Sequence, residues 1–479
     1  MLKIVSRFAN LGKPFVVPVM PSVSSYAKLV HCNHDLSSEL GLSDLSTEEL
    51  IDLLAGNLCK EDYQPTASCY MGHQFGVAVP KLGDGRAMLI AEHQDPTNHI
   101  WELQLKGAGK TPFSRMGDGR AVLRSTIREY LASYAMQQLS CPTTQALAFI
   151  HTNNQAIREK VESCAVILRV APSFIRFGHL EYYAHHGLVN ELKQLVNFVA
   201  ANYFTDLKSG DIDFIPQFLR RVITLNAEMV ARWQSLGFVH GVMNTDNMSI
   251  LGLTIDYGPF AFMECYNPTQ IFNHSDSEGR YTYTNQPYMV WWNLYRLAEA
   301  LSAIYPHQDE LEQVLSEFAT IYNQNYMTLM AGKLGLKQLS GKADSDFLDK
   351  LLLIMQQEQI DWTFFWRQLS LLNQDISQIS SIFPSLALEN WLRNLQQRYD
   401  LQDLLPTLRQ KLMLATNPAI CLRTNFLQQA IIQAEHGDYS EVARLFSAFE
   451  NPFVEQDQFA DLYVKSLVKH ANISLSCSS

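Results

Sequence analysis

Glycine is spread so unevenly that it divides the chain before any motif is considered. Eight of the 23 glycines fall between Gly72 and Gly119, and only four follow residue 300. Glycine supplies the tight turns between short strands and weakens helix interiors. The front is therefore turn-and-strand territory and the back is helical. Apolar spacing agrees: Leu294, Leu297, Ala298, Leu301 and Ile304 recur at helical intervals, as do Leu311, Val314, Leu315, Phe318, Ile321 and Tyr322. In the front, 87–91, 101–105, 166–170 and 174–177 read as strands. Residues 120–138 read as one helix, with Val122, Leu123, Ile127, Tyr130, Leu131 and Tyr134 near helical spacing. Residues 1–60 read as an arm, proline-rich at first and then helical, where Ser46 and Glu49 form a capping-box pattern. The expected organisation is an arm (1–60), a β-rich lobe (61–180) and a larger helical lobe with extended C-terminal helices (181–479).

Composition narrows the function classes. Lys and Arg total 37 against 48 Asp and Glu, a formal net charge of −11, which argues against a nucleic-acid coat. Hydrophobic residues at 47% and charged residues at 18% are globular values. No apolar run approaches the roughly 18 residues of a membrane span. The eight cysteines form no CxxC pair and are sparse for a disulfide scaffold, so a reducing compartment is expected. The first residues carry Lys3, Arg7 and Lys13 with no acid before Asp35, but Pro14, Pro18 and Pro21 break any amphipathic leader helix. A cytoplasmic protein is the reading.

Four stretches carry chemistry. Gly83-Asp84-Gly85-Arg86 precedes a strand; its glycines allow backbone N–H groups to approach phosphate, although an ordinary turn has the same pattern. Lys106 ends an alternating strand before Gly107-Ala108-Gly109, and Glu129 follows in the expected helix. Kinase-like folds pair a strand lysine with a helix glutamate in this order. His240 is followed seven residues later by Asn247, and then by Asp256-Tyr257-Gly258. Asn and Asp at those places offer hard oxygen ligands of the kind Mg²⁺ takes. The usual base position, two after His240, is Val242, which cannot accept a proton; Asp246 is the nearest replacement. Arg169 and Arg176 flank Pro172 in apolar sequence and call for an anion, a phosphate tail or a carboxylate. The second GDGR copy, Gly117-Asp118-Gly119-Arg120, stands at the expected helix start, as an anion site or as a cap.

These blocks resemble the selenoprotein O family, whose members have a protein-kinase-like two-lobed α+β fold. Tyr70-Met71-Gly72-His73-Gln74-Phe75-Gly76 is similar to that family's YxGHQFG. Further matches run through 82–86, 101–109, 117–128, 169–178, 238–258, 273–276, 285–287, 292–294 and 417–437, nearly the whole chain. The resemblance implies a protein adenylyltransferase that moves AMP from ATP to Ser, Thr or Tyr hydroxyls of proteins, with ATP inverted relative to kinases. Carried over residue by residue, it implies nucleotide contacts at Gly83, Gly85, Arg86, Lys106, Asp118, Gly119, Arg169, Arg176 and Asp256. It implies Glu129 as partner of Lys106, Mg²⁺ (with Mn²⁺ as substitute) on Asn247 and Asp256, and Asp246 as proton acceptor. It also implies a redox role for Cys477, for which Cys265 is the available partner because the family's usual position before Asn273 is Phe272. Family locations are bacterial cytoplasm and mitochondrion. UMP transfer from UTP with Mn²⁺ and an atypical kinase stand as alternatives. A non-catalytic scaffold is disfavoured by the presence of Lys106, Asn247 and Asp256. The acceptor proteins and the oligomeric state are not legible.

Overall fold

The computed structural model describes residues 2–24, 26–57, 65–465 and Leu475. The front of the chain runs β1 (Ile4–Val5), β2 (Val16–Pro18), β3 (Ala27–Cys32), α1 (His34–Glu39), α2 (Thr47–Leu54), β4 (Thr66–Ser68), β5 (Gly72–Gln74), β6 (Val77–Val79), β7 (Ala87–Gln94), β8 (Ile100–Lys106), β9 (Ala121–Val122), α3 (Leu123–Gln138), β10 (Gln145–Ile157) and β11 (Val161–Ala171). Among the described residues these form an antiparallel sheet in the order β2-β4-β7-β8-β11-β10-β3, with β1 on β7 and β9 on β11; β5 and β6 make a separate hairpin. Ser46 and Glu49 do form the capping box that opens α2.

Both faces of the sheet are covered, which explains why β11 reads as a continuous apolar run. Alternation along a strand sends Val166, Leu168 and Val170 to the face packed by Leu36, Leu40, Leu50 and Leu54. It sends Ala165 and Ile167 to the other face, against Ile127, Tyr130 and Leu131 of α3. Arg169 shares the parity of Ile167 and so points towards α3.

The remainder is helical: α4 (Phe177–His185), α5 (Val189–Tyr203), α6 (Phe214–Leu236), α7 (Gln286–Ser302), α8 (Gln308–Leu334) and further helices between Gly341 and Ala448. Between α6 and α7 a minimal ladder of β12 (Phe238–Val239) and β13 (Ala261–Phe262) frames the loop that carries His240 to Gly258. The result is the two-lobed, kinase-like α+β layout. One expected strand is absent. Residues 174–177 make only a single bridge, Arg176 to Ser249, and the chain enters α4 at Phe177. Pro172, which lacks an N–H for a ladder, stands just before this stretch. The helix expected from 120 begins at Leu123 because Ala121 and Val122 pair with Ala165 and Cys164. No helix among the described residues is long and apolar enough to cross a membrane.

Candidate active site

Register builds the site. Lys106 lies opposite Ile167, and Gln104 opposite Arg169, on adjacent antiparallel strands. Opposed residues share a face, so Lys106 and Arg169 both meet α3, where Glu129 waits. Lys106 Nζ reaches Glu129 Oε2 at 2.6 Å, and Arg169 donates to Glu129 Oε1 at 3.0 Å. Arg169 also donates to Gln104.

The loop after β12 brings the second half. His240 Nε2 bonds Ile255 O at 2.9 Å, tying the two halves of the loop, and its N–H donates to Gln286 Oε1 at 2.9 Å. Asn293 donates to Met243 O at 2.9 Å, and Arg128 of α3 donates to Phe260 O at 2.7 Å. These clamps set Asp256, in a left-handed conformation (φ 57°), against three cations. It accepts from Lys106 at 3.0 Å, from Arg169 at 2.5 Å and from Arg176. Burial opposes its ionisation, but Arg176, Lys106 and Arg169 outweigh burial and hold its carboxyl well below the usual carboxylate range.

Asp246 is held differently. It is 8% exposed. Its main-chain oxygen accepts from Arg176 at 2.8 Å, Oδ2 accepts from Gln74 Nε2 at 3.4 Å, and Oδ1 has no hydrogen-bond partner among the described residues. Burial pushes its carboxyl up to about 6, against the pull of Arg176. Asn247 donates its amide to Val242 O at 3.1 Å, an orientation that keeps its Oδ1 available to a ligand. Val242 lines the same cleft and supplies no base.

The cleft has a volume of about 570 Å³, and all twelve residues singled out around it line it: Gly83, Gly85, Arg86, Lys106, Asp118, Gly119, Glu129, Arg169, Arg176, Asp246, Asn247 and Asp256. Basic side chains outnumber acidic ones along its wall, with Arg86, Arg115, Arg120, Arg158, Arg169, Arg176 and Lys106 against Asp84, Asp118, Glu129, Asp246 and Asp256. In a chain of net charge −11 this local excess of cations favours an anionic ligand. For a divalent cation, Asn247 and Asp256 are suitable hard donors. Among the described residues no group of three or more acidic, His or Cys side chains is placed to hold a metal ion by itself, so phosphate and water oxygens would have to complete the shell, as Mg²⁺ accepts.

One expectation needs correction. Asp118 is not a helix cap: the N-cap of α3 is Val122, and Asp118 instead accepts a fork from Arg158 at 2.8 and 2.9 Å. The glycines of the first loop answer packing as well as ligand approach, since a Cβ on Gly83 (φ 95°) would lie 2.6 Å from Phe113 and 2.8 Å from Ser68 O. Sequence reasoning also missed three contributors. Arg158 sits in the β10–β11 turn, far along the chain from Asp118. Asp84 is buried and pins the glycine loop by accepting from Ser68 N and Oγ at 2.8 and 2.6 Å. Gln74 meets Asp246 from the hairpin. Only the YxGHQFG resemblance pointed near the last. Cys265 is half-buried, burial pushes its thiol up, and its main chain pairs antiparallel with that of Asp361; Cys477 lies outside the described residues.

Comparison with known proteins bears on this geometry. The family model described as protein adenylyltransferase SelO matches residues 1–450. A protein nucleotidyltransferase YdiU of Thioalkalivibrio sulfidiphilus is 41% identical, covering 100% of this chain and 99% of the relative. One from Pseudomonas aeruginosa is 40% identical over 99% and 98% of the two chains. One from Aeromonas hydrophila is 39% identical over 100% of each.

Proposed function

The chain belongs to the protein adenylyltransferase SelO family and is a nucleotidyltransferase, and from that premise we propose that it transfers AMP from ATP to Ser, Thr or Tyr hydroxyls of acceptor proteins. The observation that carries this reading is Asp246: a buried carboxylate with one oxygen unpartnered, in a cleft where the usual kinase base position is Val242. Asp246 takes the proton as the acceptor oxygen attacks the α-phosphorus. The bond from that phosphorus to the bridging oxygen breaks, and pyrophosphate leaves. Lys106, Arg169 and Arg176 balance the phosphate charge, with ATP inverted so that its γ-phosphate meets the arginines. Asp256 gives up contacts to these cations when the nucleotide takes them. Asn247 and Asp256 would hold a Mg²⁺ or Mn²⁺ ion, which would supply Lewis-acid charge neutralisation. Glu129 keeps Lys106 and Arg169 in place.

UMP transfer from UTP uses the same phosphate-binding residues and is the second reading, because the relatives' printed name commits to nucleotidyl transfer and not to a base. A panel of four α-labelled nucleoside triphosphates with Mg²⁺ or Mn²⁺ decides between them. The proposal expects ATP to give the highest kcat/KM for labelled acceptor. A higher value with UTP under either metal would replace AMP by UMP.

A further inference from the structure

Nothing in nucleotide chemistry requires the β5–β6 hairpin that lies over Asp246. Gly72 is so close that a Cβ there would fall 2.2 Å from Asp246 Oδ1. His73 and Phe75 donate main-chain N–H groups to Thr245 Oγ1 and Asn244 Oδ1 at 2.8 and 3.2 Å. The hairpin therefore bounds the cleft beside Asp246, where Gln74 and Phe75 line it too. Its turn places Phe75 at φ 51° and Gly76 at φ 84°. A bulky residue held in the left-handed region marks a local constraint worth a function. Phe75 is nevertheless 37% exposed and Val77 68%, and β6 pairs with no strand but β5 among the described residues.

Arg280 stands beside the turn. Its guanidinium lies 3.4 Å from where a Cβ on Gly76 would be and 4.7 Å from the centre of the Trp292 ring. Arg296 stacks on the same ring at 5.0 Å and pairs with Glu299 at 2.8 Å. Arg280 makes no ion pair among the described residues, although it is half-buried in a chain with 48 acidic residues. Its guanidinium also lies 5.8 Å from the centre of the Tyr281 ring, and its Nε is buried without a hydrogen-bond partner among the described residues, a placement that favours a carboxylate.

We propose that the hairpin turn, the open edge of β6 and the Arg280–Trp292 stack form the acceptor-docking surface. It takes an extended polypeptide segment with an acidic side chain close in sequence to the modified hydroxyl. This rests on the reading of the cleft as a site of transfer to protein hydroxyls. The segment adds along β6, where main-chain bonds give affinity without reading sequence. Phe75 and Val77 cover its apolar side chains, and Arg280 receives the carboxylate. The hydroxyl then enters the cleft beside the hairpin, where Gln74, Phe75 and Asp246 share its lining.

Two fluorescent nonapeptides with a central tyrosine, flanked by glutamates in one and glutamines in the other, test this by anisotropy against the full chain. The glutamate peptide binds about tenfold more tightly, and added salt erodes the difference. The preference vanishes in Arg280→Ala. In Arg280→Glu it moves to a lysine-flanked peptide, which a variant that merely disordered the hairpin would not produce. Equal binding of the first two peptides by the unmutated chain overturns the proposal, as does a preference that survives Arg280→Ala. Label transfer from α-labelled ATP to the same peptides is scored separately. Preference without transfer keeps the docking surface and removes the transferase reading; transfer without preference does the reverse.

Discussion

Asp246 and Asp256 sit in one cleft and differ because of what faces them. Three cations hold Asp256 ionised, whereas burial outweighs Arg176 and lifts Asp246 to about 6. A carboxyl accepts a proton only when ionised, so the transfer rate climbs with pH through about 6 and levels above it. In Asp246→Asn the rate drops by about 10²–10⁴-fold. The inflection near 6 disappears in that variant, while nucleotide affinity, read by equilibrium titration, stays close to that of the parent. An inflection near 6 that persists in Asp246→Asn would assign the proton acceptor elsewhere. Asp84 belongs to the same scale. It lines the cleft, and its bonds to Ser68 hold the loop that presents Gly83 and Gly85.

At the scale of elements, what was legible followed periodicity and what was not followed tertiary contact. Strand β8 and the helices α7 and α8 were readable because one face of each repeats its apolar residues at a fixed interval, and β7 because it opens on a continuous apolar run, Ala87 to Ala91. The thirteen residues of β10 escaped because their middle, His151-Thr152-Asn153-Asn154-Gln155, is polar and the register shifts between His151 and Gln155. The site was legible where its residues cluster in short motifs, as around Asn247 and Asp256. It was illegible where a partner arrives from a distant turn, as Arg158 does to Asp118. Helix α8 holds a feature no pattern announces. Lys333 is 3% exposed, lies 5.0 Å from the Trp366 ring centre, and makes no ion pair among the described residues. Burial pulls its ammonium down to about 7. The unfolded chain keeps that proton to about 10.4. The native state therefore carries a penalty that is full below about 7 and fades as pH rises towards 10. Lys333→Met should raise the thermal midpoint at pH 7, with the gain over the parent shrinking by pH 9.5. Calorimetry at the two pH values checks it, and a destabilised Met variant would contradict it.

Across the whole molecule, an acidic chain encloses a cleft whose wall is mainly basic, at the join of a sheet lobe and a helical lobe. Each lobe supplies what the other lacks. The sheet and α3 contribute Lys106, Glu129, Arg169 and the glycine loop. The helical lobe contributes the clamped loop with Asp246, Asn247 and Asp256. Arg176, at the entry to α4, reaches across to that loop by donating to the main-chain oxygen of Asp246 and to the Asp256 carboxylate. A cleft of about 570 Å³ suits a nucleotide. The central claim is that the α-phosphorus, and not the γ-phosphorus, is the atom attacked. The direct test incubates the purified chain and Mg²⁺ with ATP labelled at the α-phosphate in one reaction and at the γ-phosphate in another. Protein-bound label from the α position alone, lost in Asp256→Ala, is the predicted result. Protein-bound label from the γ position would mean a kinase that works without a carboxylate at 242, and the inverted placement of ATP would be wrong.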